Sequence, residues 1–276
     1  MSSGTLFVVA TPIGNLGDAS PRAIEVLRTA HLVACEDTRT TRTLLARNGI
    51  ATRTVALHEH NERATTEKLI ADLMQGRDIA LVSDAGTPAL SDPGALLVDQ
   101  AHRAGIRVSP LPGPSAAAAA FSICGFAADR FLFAGFLPSA AAARRKALEA
   151  LELPWPVILY EAPHRIAATL DDLRARFGDE REVLIGRELT KKFEEVARLP
   201  LARAPQWLAG QSHRQQGEFV LVLAAGGEQP SAVDPQRVLD LLLDASLAPS
   251  EAAKLAARIT GAPRNELYRR ALERSK

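Results

Sequence analysis

The sequence predicts an α/β protein: two consecutive α/β units followed by a helical tail. Three observations lead there. Short apolar runs alternate with helix-patterned segments from Leu6 to Val108, and the alternation restarts near Gly125 and continues to Leu223. The runs of the first unit break into polar loops, several of them rich in Gly and Pro. From Pro235 onward the pattern is helical. Strands alternating with helices form doubly wound sheets, whose ligands bind beyond the carboxyl ends of the strands. A length of 276 residues suits two modest domains with an appendage. The expected divisions are 1–124, 125–228 and 229–276.

In order, Leu6-Phe7-Val8-Val9-Ala10 is a buried strand that stops at the tight loop Thr11-Pro12-Ile13-Gly14-Asn15. A helix follows, with Ser20 as N-cap, Pro21 at its first position, and Ile24, Leu27 and His31 on one face. Leu32 to Cys35 is a strand running into Glu36-Asp37-Thr38-Arg39, and Thr40 to Arg47 is helical up to Asn48-Gly49. Thr54 to Leu57 is a strand ending at His58-Glu59-His60-Asn61, and Ala64 to Met74 is a helix. Ile79 to Val82 is a strand running into Ser83-Asp84-Ala85-Gly86-Thr87-Pro88. Ala95 to Ala104 is helical, and Arg107-Val108 opens a strand before Leu111-Pro112-Gly113-Pro114-Ser115.

The second unit has strands at Phe131 to Ala134, Val157 to Tyr160, Glu182 to Ile185 and Glu218 to Leu223. Its helices fall at Arg144 to Leu151, Ile166 to Phe177 and Leu199 to Ala209, and Gly226 to Pro230 ends it. Loop 138–143, with its alanine run, is expected to be exposed and mobile. The tail reads as helices Pro235 to Asp244, Ser250 to Thr260 and Arg264 to Arg274; the last two, around Gly261-Ala262-Pro263, form a helix-turn-helix pattern. Seven basic and three acidic residues lie between Glu251 and Lys276.

With 47% hydrophobic and 24% charged residues, the chain fills a core and stays soluble. Its net charge is only +1, so any nucleic-acid surface has to come from local clusters. Cys35 and Cys124 sit in apolar runs and read as reduced core residues, as in a cytoplasmic protein. The first residues lack a basic leader and Leu6 to Ala10 is too short to span a membrane, so the chain reads as mature, soluble and cytoplasmic. Neither a Gly-x-Gly-x-x-Gly fingerprint, a P-loop nor a His-Glu-x-x-His motif occurs, which leaves dinucleotide, nucleoside-triphosphate and zinc-protease chemistry unsupported.

Ser83 to Gly94 is the strongest local signal. Gly86 and Gly94 let backbone approach a ligand, and Asp84 and Ser91 offer hydrogen bonds to a polar cofactor. A capped loop before a helix explains part of it, but two Ser-Asp pairs, two Gly and two Pro in twelve residues exceed what a cap needs. Pro12 and Gly14, in the loop after the first strand, read either as a turn or as part of the same site. Pro112 to Ala116 opens an Ala-rich helix whose free N–H groups suit a carboxylate, although close packing explains its small residues too. Glu36 and Asp37 are candidates to orient a hydroxyl or take its proton, and Arg39 and Arg42 to hold a phosphate; a surface ion-pair cluster is the competing reading. His58 and His60 share one strand face but no third ligand cluster accompanies them, so no metal is expected. Arg144-Arg145-Lys146 suits phosphate or a solvated helix face, and Arg187 to Glu195 suits a cleft lining or a solvated helix start.

Together these stretches resemble the RsmI family of ribosomal small-subunit methyltransferases, within the tetrapyrrole methylase superfamily. The resemblance runs in order through Leu6 to Asn15, Cys35 to Leu45, His58 to Asn61, Ser83 to Gly94, Pro112 to Ala116, Phe133 to Pro138, Tyr160 to Arg165 and Arg187 to Glu195. It implies two α/β/α domains with a deep cleft between them, a helical extension and a homodimer. It implies S-adenosyl-L-methionine as cofactor and 2'-O-methylation of a cytidine in 16S rRNA near the decoding centre. Pro12, Gly14, Asp84, Ala85, Gly86, Thr87, Ser91, Ser115, Ala116 and Tyr160 would then face the cofactor. Arg39, Arg42, Arg144, Arg145 and Lys191 would face RNA of the small ribosomal subunit. One departure is that Ser139 and four alanines replace the polar residues usual before the Arg pair. Competing expectations are a methyltransferase for a precorrin-type tetrapyrrole and a non-catalytic RNA-binding protein; the basic tail argues against the first and the cofactor-type loops against the second.

Overall fold

The structure is a computed structural model that describes residues 3–58, 60–226 and 234–274. The expected boundary at 228/229 lies outside the described residues, as does Glu59.

Five strands form the first sheet: β1 (Thr5–Val9), β2 (Leu32–Cys35), β3 (Thr54–Ala56), β4 (Ile79–Val82) and β5 (Arg107–Leu111). Their order is β3-β2-β4-β1-β5, and every pair is parallel. β2 and β4 are buried along their whole length, which is why they read as unbroken apolar runs without alternation. Helices α1 (Pro21–Thr29), α2 (Thr38–Arg47), α3 (Glu62–Met74) and α4 (Ala95–Arg103) cross between the strands. Ser20 caps α1 by accepting from Ala23 N–H, with Pro21 in the first turn, as the sequence predicts. The chain leaves β1 toward β2 and leaves β4 toward β5, in opposite directions. The loops after β1 and β4 therefore meet at a topological switch point, where open α/β sheets bind ligands.

The second sheet contains β6 (Leu132–Phe136), β7 (Val157–Glu161), β8 (Glu182–Arg187), β9 (Glu195–Pro200) and β10 (Phe219–Leu223), in the order β6-β7-β10-β8-β9. Only β6 and β7 pair in parallel; β10 runs antiparallel to both β7 and β8, and β9 antiparallel to β8. This corrects the expected helix Leu199 to Ala209. Residues 195–200 form an edge strand whose Val196 and Arg198 point outward, and α8 is confined to Ala204–Ala209. Helices α6 (Ala141–Glu149) and α7 (Ile166–Phe177) join α8 around a core that includes Leu148, Leu159, Leu170 and Leu221. The alanine run is exposed as expected, but Ala141 to Ala143 begin α6 and are not a loop.

Between the sheets runs α5 (Ala116–Cys124), capped by Ser115 at one end and by left-handed Gly125 at the other. Its Ala117, Ala120 and Cys124 pack on Ile158, Leu184 and Val220 of the second sheet. Small side chains let the helix lie close to the strands. Helices α9 (Pro235–Asp244), α10 (Pro249–Thr260) and α11 (Arg264–Arg274) form a separate cluster around Leu239, Ala253, Ala256 and Leu267. Cys35 and Cys124 are buried free thiols. No helix among the described residues is long and apolar enough to cross a membrane.

Candidate functional site

A cavity of about 420 Å³ lies between the two sheets. The first sheet supplies one wall through the loop after β4. Ala89 and Ser91 there have φ of 64° and 66°, and Gly86 has φ of 81°. Left-handed backbone at two non-glycine residues is strain held in place by its surroundings. Thr11 and Gly86 clamp the loops after β1 and β4 through paired backbone bonds of 2.8 and 3.0 Å. The Thr11 hydroxyl adds a bond to Ser83 O at 3.2 Å.

The second sheet supplies the opposite wall from strand ends that its register brings together. Phe219, at the start of β10, pairs with Glu161 on β7 and Arg187 on β8. Tyr160 stands between the rings of Phe133 and Phe136, at 4.9 and 5.6 Å. Its hydroxyl accepts from Ala117 N–H at 3.2 Å, tying this wall to the first turn of α5. Glu161 is 2% exposed and held by Thr169 at 2.6 Å and Arg165 at 3.1 Å.

Seven of the ten expected cofactor residues line this cavity: Asp84, Ala85, Gly86, Thr87, Ser91, Ala116 and Tyr160. The other three do not. Pro12 lines a second cavity of about 310 Å³. Gly14 sits against the turn between β8 and β9, where a Cβ would come within 2.9 Å of the Thr190 hydroxyl. Ser115 caps α5, accepting from Ala118 N–H at 3.4 Å. The sequence reading leaves out much of the second wall, including Phe136, Gly186 and Phe219, whereas Leu189 falls in the stretch Arg187 to Glu195 read as a possible cleft lining. Phe136 ends β6 and is 54% exposed, with its ring against that of Tyr160.

The carboxyls near the cavity form an uneven group. Burial raises the pKa of Asp84, and nearby Asp37 raises it further, against a 3.0 Å bond from Asp37 N–H and the charge of Arg39. Burial also raises Asp92, with Asp84 adding to it, and raises Glu36, with Asp84, Asp92 and Asp37 adding to it. Asp37 goes the other way. Its carboxylate binds the Arg39 guanidinium at 2.6 Å and caps α2 through Arg39 N–H, which hold its pKa at about 2. The two expected proton acceptors are thereby separated: Asp37 is fixed as cap and ion-pair partner, whereas Glu36 retains the basicity of a half-buried carboxyl.

The five expected RNA-side cations also divide. Arg39, Arg42 and Arg145 are exposed. Arg144 is 5% exposed and bound to Asp172 at 2.7 Å, so its guanidinium is a buried strut and not a free phosphate ligand. Lys191 lines the large cavity, bonded to Glu188 at 2.9 Å and Glu218 at 2.7 Å. Burial disfavours its ammonium, but those two bonds outweigh it and raise its pKa. Among the described residues no group of acidic, His and Cys side chains is placed to hold a metal ion.

A family model described as Tetrapyrrole (Corrin/Porphyrin) Methylases matches residues 5–205, and one described as the RsmI C-terminal HTH domain matches residues 229–275. The chain belongs to the tetrapyrrole methylase family, in its RsmI branch. That membership makes it a methyltransferase. Relatives named ribosomal RNA small subunit methyltransferase I agree: one from Pseudomonas aeruginosa is 52% identical over 99% of each chain, and one from Escherichia coli O157:H7 is 46% identical over 99% of this chain and 96% of its own. Among solved structures, a diphthine synthase aligns with TM-score 0.60 at 18% identity, over 80% of this chain and 90% of its own. The methyltransferase CobJ aligns with TM-score 0.60 at 19% identity, over 81% and 95%. These two establish the fold of the RsmI-branch chain and nothing finer.

Proposed function

We propose that the chain methylates the ribose 2'-hydroxyl of a cytidine in 16S ribosomal RNA near the decoding centre, with S-adenosyl-L-methionine as donor, working in the cytoplasm as a homodimer. The observation that carries this reading is the extent of the likeness. CobJ is covered over 95% of its own length yet leaves about a fifth of this chain unmatched, whereas the Pseudomonas aeruginosa relative matches through the helical extension. A small-molecule methylase has no evident use for that basic extension, whereas a polyanionic substrate does.

The large cavity fits the donor. Ile13, Leu90, Phe136 and Leu189 give it an apolar middle, and Asp84, Asp92, Glu161 and Lys191 give it polar margins. Such a lining suits an amphipathic nucleoside. S-Adenosyl-L-methionine supplies a methyl group on a positively charged sulfonium, which is a good leaving group. The chain then has mainly to position. Asp84 to Thr87, Ser91, Ala116 and Tyr160 hold the donor. The clustered carboxyls of Asp84, Asp92 and Glu36 favour a cation beside them, because it relieves their mutual repulsion. Glu36 is the residue suited to take the hydroxyl proton. Arg39, Arg42 and Arg145 are exposed and suited to meet phosphates, Arg39 while paired with Asp37 and Arg145 while paired with Asp172.

Incubation with methyl-labelled S-adenosyl-L-methionine and either small subunits or a tetrapyrrole precursor tests this. Label at one ribose of 16S rRNA is expected. Label in the precursor, or binding to RNA without any transfer, overturns it.

A further inference from the structure

A second cavity adjoins the donor site and is separate from it except at Asp84. It lies between the loop after β1, the 3-10 turn Leu16–Asp18 and the first turns of α2, and Asp84 is the residue it shares with the large cavity. Five of its nine lining residues carry hydroxyls: Thr11, Thr40, Thr41, Thr43 and Ser83. Two of these lack an oxygen or nitrogen partner. The Thr40 side chain makes no hydrogen bond among the described residues. Thr41 is 3% exposed, and its hydroxyl bonds the Cys35 thiol but has no oxygen or nitrogen partner among the described residues. A buried hydroxyl without such a partner is costly and marks a place for a polar ligand. Leu16, Leu44 and Pro12 supply apolar surface.

We propose that this second cavity receives the nucleoside to be methylated, splayed out of its RNA stack, with Asp84 as the wall between acceptor and donor. The proposal rests on the ribosomal RNA reading above. Three features favour a nucleoside over other occupants. A volume of about 310 Å³ admits one base with its sugar. The hydroxyls both donate and accept, which matches the mixed edge of a base and the ribose 2'-hydroxyl. No cation lines the cavity, so phosphates belong outside it, where α2 carries the exposed Arg39 and Arg42. Single-stranded RNA is read by splaying out its bases in this way.

Two substitutions on exposed positions test the cavity without disturbing the core. Leu16→Trp fills it, and Thr40→Val removes an unspent hydroxyl. Methyl transfer to small subunits is measured at saturating donor, with donor affinity measured separately by calorimetry. L16W is expected to abolish transfer. T40V is expected to lower kcat/KM for the subunit by about three- to tenfold, the worth of one neutral hydrogen bond. Donor affinity is expected to be unchanged in both. Full transfer by L16W overturns the proposal. Loss of donor affinity in step with turnover also overturns it, because the cavity then belongs to the donor site. A wild-type protein that binds donor but labels no RNA sinks the underlying reading instead, before any variant is compared.

Discussion

The two walls of the large cavity are built on different principles. The first-sheet wall is mostly backbone: the loop after β4 holds its shape through Gly86, two strained non-glycine residues and the clamp to Thr11. The second-sheet wall is mostly side chains, Phe136, Tyr160, Glu161 and Phe219, delivered by the ends of three strands, β6, β7 and β10. A wall of backbone tolerates almost no change of residue where φ is positive. A wall of side chains can lose a group and remain a wall. Substitutions should therefore be severe on the first and graded on the second.

Gly86→Val should have the largest effect. A β-branched residue at φ of 81° brings roughly 1–3 kcal/mol of strain, which the ligand-free loop sheds by leaving the binding shape, so regaining that shape should cost donor affinity about 10- to 100-fold by calorimetry. Phe136→Ala should cost about fivefold in donor affinity with an unchanged melting temperature, since the ring is 54% exposed without ligand. A drop in melting temperature would show the ring to be structural and blur the contrast between walls. Tyr160→Phe should act on stability more than on binding. It leaves Ala117 N–H without its acceptor, at a cost of about 1 kcal/mol measurable by denaturant melts.

The smallest effect is on pH dependence. Burial places Asp84, Asp92 and Glu36 above their ordinary values of 3.8, 3.8 and 4.5, so the folded chain holds these protons longer than the unfolded one. Their contribution to the stability of the ligand-free protein therefore falls as pH rises from 3.8 through the raised values. A sulfonium beside them favours the ionised forms, so donor affinity should rise across the same window. Asp92→Asn should flatten both curves. Asp37 has the opposite sign: held at about 2, it adds stability that is complete above 3.8 and lost as pH falls toward 2.

The same contrast explains what the sequence made legible. Ser83 to Gly94 is one contiguous stretch whose glycines and turn residues announce a special backbone, and most of its expected residues line the cavity. The parallel sheet was readable because buried strands such as β2 and β4 are unbroken apolar runs. The second wall is assembled by register between strands tens of residues apart, and no local pattern marks Phe219 as the neighbour of Glu161. Arg144 looked like a surface cation because its partner Asp172 lies 28 residues away. Lys191 lines the cavity from the turn between β8 and β9, in a stretch whose mixed charges read equally as a cleft lining or a solvated helix start. The expected helix reaches back over Leu199 and Pro200, the last two residues of β9, because they precede a true helix, and the rest of β9 carries no strand pattern of its own.

The central claim is that donor and acceptor occupy two cavities divided by Asp84. A crystal structure with S-adenosylhomocysteine tests it most directly. The ligand is expected between the two sheets, touching the loop after β4 and Tyr160, with the Thr40–Thr41 cavity left free. Density for the ligand in that smaller cavity would contradict it.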